Sequence, residues 1–430
     1  MTALATDAVP TQTPSLPILP RLDSLDLLRG AAILGILLMN TQSMGLPSGA
    51  YYNPTEYGDY TGANRIIWMV IHLIADVKFI STFSILFGAG ILLQGQRVAT
   101  RGLSPAGVHY RRMIVLLFIG IIHAYVLWYG DVLVPYAICG MLLFPIRKLP
   151  APLLMFTAIS FIAMGTVMRF AIDHQLFAAA VQIDRWHNQL VAGTWGSSFE
   201  VQAYRSGWWR QMDSRFWISL DNDTASFLTW TFWRCGGCML LGMALLHAGF
   251  FHGDWSRKAY AVLAAMCIPL GWCITGLGIV YNEMNEWDAS ALWSFGEQFN
   301  YWGSLVAAFG YLSLGVLVAI VIAERAGAIA KILAVLVVPI RSVGRMALTN
   351  YISDTLIGTT FFYGHGFGYF GKLDRVQLLY MTLLIWACQL TLSTIYLRFF
   401  KQGPLEWIWH KIVYGTIRKR QRGFDVIPAS

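Results

Sequence analysis

Ten stretches of this 430-residue chain are apolar for long enough to cross a bilayer, and that feature decides most of what the chain can become. They cover 25–44, 71–95, 110–129, 131–147, 151–172, 229–250, 258–280, 301–323, 341–363 and 376–398. A helix needs roughly 17–25 apolar residues to span the hydrocarbon core. In lipid, backbone N–H and C=O groups must be satisfied within the protein, and a helix does this inside its own segment. The expected fold is all-α, a polytopic membrane helix bundle of about ten transmembrane helices. Composition agrees: 56% of residues are hydrophobic and 13% charged, about half the charged share of a soluble domain.

The net charge of +8 would suggest nucleic acid in a soluble protein. Here the basic residues lie between apolar runs, so they set orientation, and no nucleic-acid partner is expected. Turns holding Arg97, Arg101, Arg111, Arg112, Arg147, Lys148, Arg257, Lys258, Arg325 and Lys331 fall on one side with the tail Arg418-Lys419-Arg420. The opposite side carries the loop of Glu283, Glu286 and Asp288. The positive-inside rule then puts both termini in the cytoplasm.

Residues 1–20, rich in Pro and Thr without Lys or Arg, read as a disordered cytoplasmic tail rather than a signal peptide. The bundle occupies 21–398. Within it, 173–228 mixes Trp with Arg and Asp and reads either as an amphipathic segment on the outer leaflet, lidding a cavity, or as a small folded loop packed on the bundle. Residues 399–430 read as a cytoplasmic amphipathic helix and basic tail. Pro404 suits that helix's first turn and Glu406 its dipole, with Trp407 and Trp409 along the membrane surface.

Ionisable groups at bilayer depth are costly and mark interior or functional positions. Asp26 and Arg29 are three apart, and Asn40 lies eleven further on, close to three full turns, so one polar stripe runs along the first span. It is either a structural ion pair at the helix mouth or a vestibule with Arg29 on an anionic group. In the second span His72 and Asp76 sit four apart and can hydrogen-bond, while Lys78 falls on the opposite face. The third and fourth spans bring His123, Asp131 and Tyr136 toward one outer cavity, a set suited to acid–base work. The ninth span has two polar faces: Ser342, Arg345 and Thr349 on one, Asn350 and Asp354 on the other. That helix is expected to be central.

Six cysteines include Cys235-Gly-Gly-Cys238, which has redox or metal spacing. No second pair and no nearby His pair completes a set, so these residues read as small helix-packing positions. No metal site and no permanently bound cofactor is expected. Nucleotide-binding, zinc-protease and nucleophile-elbow motifs are not found.

The blocks "RLDSLDLLRGAAILGILLMN", "VKFISTFSILFGAG", "HAYVLWYGDVLVPYAICG", "VGRMALTNYISDTLI" and "FFKQGPLEWIWHK" together resemble the YeiB-type bacterial inner-membrane proteins, a family classed by a domain of unknown function. The resemblance implies a multi-pass protein of the bacterial cytoplasmic membrane. The first two spans are also similar to transmembrane acyltransferases of the heparan-glucosaminide acetyltransferase type. That likeness implies acyl transfer from cytoplasmic acyl-CoA, a co-substrate, to an acceptor across the membrane. It would put Asp26 and Arg29 at the CoA entrance and make His72 or His123 the base or acyl carrier.

Three functions follow as expectations. The first is a transmembrane acyltransferase with His123, Asp131 and His72 in the chemistry. The second is a transporter of an anionic or amphiphilic solute, suggested by Arg29, Asp76, Lys78, Arg345 and Asp354. The third is a non-catalytic lipid-binding protein. Expected partners are membrane lipids, a small-molecule or lipid substrate and, from the small-residue faces, a second copy of the chain.

Overall fold

Helix α1 (Asp23–Gly45) is the axis of the bundle. In its apolar window 78% of residues are buried, against 22–50% in the other long apolar helices, so α1 is enclosed by protein. In this computed structural model the described residues run from Asp23 to Phe424, leaving out 177, 180–181, 184, 186, 188–195 and 325–326. The expected tail 1–20 lies outside them.

After α1 come the short α2 (Gly49–Tyr52), α3 (Gly62–Ile74) and α4 (Lys78–Ala99). Then α5 (Pro105–Ile122) runs into a wide π-turn, His123–Leu127, and α6 (Leu133–Leu143) returns beside it. Next are α7 (Ala151–Asp173), α8 (Ser197–Arg205), α9 (Trp208–Asp223) and α10 (Phe232–His247). The chain closes with α11 (Arg257–Met284), α12 (Glu297–Ala323), α13 (Gly327–Arg345), α14 (Ala347–Phe362), α15 (Arg375–Phe399) and α16 (Pro404–Phe424). No strand occurs among the described residues. The protein is an all-α polytopic helix bundle.

Eight stretches are long and apolar enough to cross a membrane, with α3–α4 counted as one. The helices α6, α10 and α14, which carry three of the ten expected segments, are shorter than that, and α13 is a long apolar helix the sequence reading did not separate. The expected ninth segment is divided at Met346 into α13 and α14.

Both described ends of the chain meet at one end of the bundle, here the near face. Gly344, at the end of α13, packs on Asp26, and Arg345 donates to the Lys401 carbonyl just before α16 at 2.9 Å. Glu406 of α16 accepts from the N–H groups of Leu348 and Thr349 at 2.7 and 3.1 Å and so caps α14. The dipole role expected for Glu406 within its own helix is thus joined by a stronger one, a carboxylate on another helix's free N–H groups. At the far face the Gly371 N–H donates to the Gly45 carbonyl, tying the α14–α15 loop to the end of α1.

Glycine sets two of the closest helix contacts. A methyl on Gly344 would overlap the Asp26 carbonyl, and one on Gly88 of α4 would overlap the Met239 carbonyl of α10. Small residues at such crossings let backbones approach and gain dispersion contacts that lipid does not supply. Cys235 and Cys238 are buried in the same α10 interface, and Gly237 beside them packs on the Ala158 carbonyl and Ile162 of α7.

Candidate functional sites

Two clusters of buried polar groups interrupt the helices. The first lies at the tip of the α5–α6 hairpin. Only Trp128–Val132 separate its two arms, and the chain reverses with the Trp128 N–H donating to the His123 carbonyl at 2.8 Å. Asp131 accepts from the Val134 N–H at 2.7 Å through Oδ2, capping α6, and meets His123 Nδ1 at 2.8 Å through Oδ1. Nδ1–H donates to the carboxylate, which leaves Nε2 to accept. Its partner is the Thr355 hydroxyl of α14, 2.8 Å away. His123 is fully buried, and the Asp131 side chain is 2% exposed.

Thr355 lies eight residues past Ala347, about 12 Å along a helix of about 24 Å. The hairpin tip therefore meets α14 halfway along its length. From the far face it is covered by α9. Arg215, Ser219 and Asn222, spaced four and three apart on one stripe, donate to the carbonyls of Val126, Ala124 and Tyr129. The expected outer cavity is thus filled. Segment 173–228 does not simply lie on a surface: α9 turns its polar side inward, with Gln211, Ser214, Arg215, Ser219 and Asp221 buried. Burial, then the neighbouring Asp131, pushes the Asp223 carboxyl at the end of α9 up to about 7, against a hydrogen bond from Tyr125.

Tyr136 does not join this cluster. Its hydroxyl pairs with Ser84 Oγ at 2.7 Å and donates to the Ile80 carbonyl at 3.2 Å, because α6 turns that side chain toward α4. The phenol beside His123 is Tyr351, with ring centroids 4.9 Å apart.

The second cluster lies where α3 breaks from α4. Val77 takes a left-handed conformation, φ 58°, which a β-branched residue adopts only under tertiary constraint. The break overturns the expected opposition of Lys78 to His72. Lys78 Nζ donates to the His72 carbonyl at 2.8 Å and to Asn300 Oδ1 at 2.7 Å. The same Asn300 donates through Nδ2 to Asp76 at 2.7 Å, and Tyr51 donates to the other carboxylate oxygen at 2.6 Å. His72 Nδ1 is 3.0 Å from Asp76 Oδ2, with its ring stacked on Trp68 at 4.8 Å. One amide thus joins an acid and a base that do not touch. On α10, the buried Arg234 donates to the Tyr301 carbonyl and to Ser81 and Ser304 at 2.8 and 2.6 Å.

The remaining expected site residues are spread over other contacts. Asp26 and Arg29 pair at 3.4 Å near the mouth of α1, while Asn40 is half-buried three turns on and makes no hydrogen bond among the described residues. Asn350 and Asp354 do share a face, bonded to Ser393 and Gln389 of α15 at 3.1 and 2.7 Å. Arg345 and Thr349 part company at the Met346 break, Arg345 going to the Lys401 carbonyl and Thr349 to Glu406. Trp407 is exposed, but Trp409 stacks under the Arg112 guanidinium at 4.3 Å, since two residues apart on a helix face nearly opposite ways. Thr355, Asn300, Arg234 and the α9 donors were not foreseen. The signal that flagged Asn40, a polar side chain in an apolar run, applies equally to Arg234, whereas Asn300 falls one residue before the expected run 301–323.

Fold and sites together define a multi-pass membrane protein with a polar interior. The family model described as "Protein of unknown function (DUF418)" matches residues 245–416, which include Asn300 and Thr355 but not His123 or Asp76. Uncharacterized protein YeiB of Escherichia coli (strain K12) is 29% identical over 397 residues, 90% of this chain and 95% of the relative. Uncharacterized protein YxaH of Bacillus subtilis (strain 168) is 25% identical over 415 residues, covering 92% and 94%. The chain is thus similar to YeiB-type proteins over nearly its whole length and matches the DUF418 family model over residues 245–416.

Proposed function

We propose that the chain is a transmembrane acyltransferase with His123 as its general base. The observation that carries this reading is the hydroxyl–imidazole–carboxylate line of Thr355, His123 and Asp131, with both bonds at 2.8 Å. Such a line activates a hydroxyl or amine by removing its proton as a new bond forms. The Thr355 hydroxyl stands where an acceptor's hydroxyl or amine would stand. In the reaction the acyl–sulfur bond of an acyl-CoA breaks and an acyl–oxygen or acyl–nitrogen bond forms. His123 Nε2 takes the acceptor's proton and passes it to the departing thiolate. Asp131 holds the imidazole in the tautomer that this needs.

The positive-inside pattern supports a cytoplasmic near face and residence in the bacterial cytoplasmic membrane. Asp26 and Arg29 would then border the acyl-CoA entrance. The test is thiol release from acetyl-CoA and longer acyl-CoAs by the purified protein. His123→Ala should lower turnover by about 10²–10⁴-fold. Absence of thiol release with all of them, or release untouched by the substitution, rejects the proposal.

A second reading, transport of an anionic solute, draws on the broken helix with Asp76 and Lys78, since interrupted helices with charged groups line solute sites. Flux into proteoliposomes that is lost in Lys78→Met and kept in His123→Ala would favour it over acyl transfer.

A further inference from the structure

We propose that α9 is a lid over His123, and that the carbonyls beneath it are the surface on which the acceptor is held. This rests on the acyl-transfer reading above. The carbonyls of Ala124, Val126 and Tyr129 lie where the hairpin reverses, and each takes its donor from α9 rather than from the hairpin itself. The tip thus presents a row of acceptors on the same chain reversal that carries His123. Carbonyl oxygens only accept, so a molecule that replaced α9 would need several O–H or N–H groups. A polyhydroxy or amine-bearing acceptor has that chemistry and also the group that His123 would deprotonate.

The composition of α9 suits a part that moves. Its buried side is polar apart from Ile218, while Trp209 is 84% exposed and Phe216 and Trp217 are also exposed. An apolar interface loses its stabilisation when opened. A hydrogen-bonded one largely trades its bonds for bonds to water, at a net cost of order 1 kcal/mol per bond. The outward aromatic residues can remain at the membrane surface while the polar side lifts. Arg215 ties the lid to the start of the α14–α15 loop as well, since its guanidinium lies 5.9 Å from the Tyr363 ring.

The test uses the full-length protein in nanodiscs, with Cys273 and Cys388 replaced by Ser and Thr355→Cys as the reporter. Thr355 lies under the hairpin tip that α9 covers, bonded to His123 at 2.8 Å, so the lid predicts that a charged maleimide reaches position 355 faster when α9 lifts. Adding Ser219→Ala and Asn222→Ala should speed labelling about tenfold or more, because two of the lid's bonds are gone. N-methylglucamine, a polyhydroxy amine, should slow that labelling, and hexanol should not. Equal rates with and without the lid substitutions overturn the lid. Faster labelling without protection by N-methylglucamine overturns the acceptor surface. Hydrogen exchange on the unmodified protein gives a second measure: α9 amides should exchange well before those of α12, and equal protection overturns the lid. None of these readings needs turnover, so a lid that opens in a protein without thiol release would sink the acyl-transfer reading alone.

Discussion

The hairpin tip and the α3–α4 break are both polar islands within apolar helices, but they are held in different ways. At the break, the Lys78 amine and the Asp76 carboxyl are joined by one amide, Asn300, and Lys78 also holds a carbonyl that the break itself frees. At the tip, an imidazole sits between a carboxylate and a hydroxyl, and the carbonyls around it are satisfied by a separate helix. Buried ionisable groups resist exposure to lipid and tolerate little loss of a bond. The neutral bonds of Ser219 and Asn222 exchange with water or ligand at small cost, and only that of Arg215 carries a charge. The break is built to stay closed, and the tip is built to be uncovered.

The sharpest way to break this comparison is Asn300→Leu, which takes one hydrogen-bond partner each from Lys78 and Asp76. Removing the partner of a buried charge costs about 3–5 kcal/mol. Thermal unfolding in detergent should show a large fall in midpoint, and a fall no greater than that of Thr355→Val would erase the distinction between the sites. Gly344→Leu should come next, at about 1–3 kcal/mol from overpacking against the Asp26 carbonyl, without altering either cluster. Thr355→Val should cost about 1 kcal/mol by taking one hydrogen bond from His123 while leaving the bundle folded. If it unfolds the protein, the tip is as structural as the break.

The smallest effect is on pH dependence. The Asp223 carboxyl has a folded value of about 7, above the ordinary carboxylate range, so the folded state binds this proton more tightly than the unfolded chain. Its contribution to stability is complete below about 4 and is lost as pH rises through 7. Unfolding midpoints should therefore drop between pH 5 and 8, and Asp223→Asn should flatten that slope. An unchanged slope in the variant would place the titration elsewhere.

Several features were legible because they depend on local periodicity and length. Runs near 20 apolar residues specify membrane helices without reference to any partner. Asp26 with Arg29, His72 with Asp76 and Asn350 with Asp354 lie three or four apart on continuous helix, so their neighbourhood follows from helical geometry. His123 and Asp131 are eight apart across a turn too short to separate them. Where the helix breaks, such reasoning fails. Ala75-Asp76-Val77 holds neither glycine nor proline, so nothing local announces the turn that swings Lys78 onto His72. The orientation of α9 was equally hidden, since an amphipathic pattern shows that a helix has two faces but not which one is buried.

What the sequence by itself determined is the class: an all-α membrane bundle with α1 inside it and polar groups in costly positions. The physical reason is that lipid leaves backbone and charge few alternatives. Only the tertiary structure decided the partners. Thr355 reaches His123 across 232 positions of chain and Asn300 reaches Lys78 across 222, and contacts of that range are set by how whole helices pack. The same packing filled the expected cavity with α9, because the carbonyls at a chain reversal need donors and the nearest polar helix face supplied them.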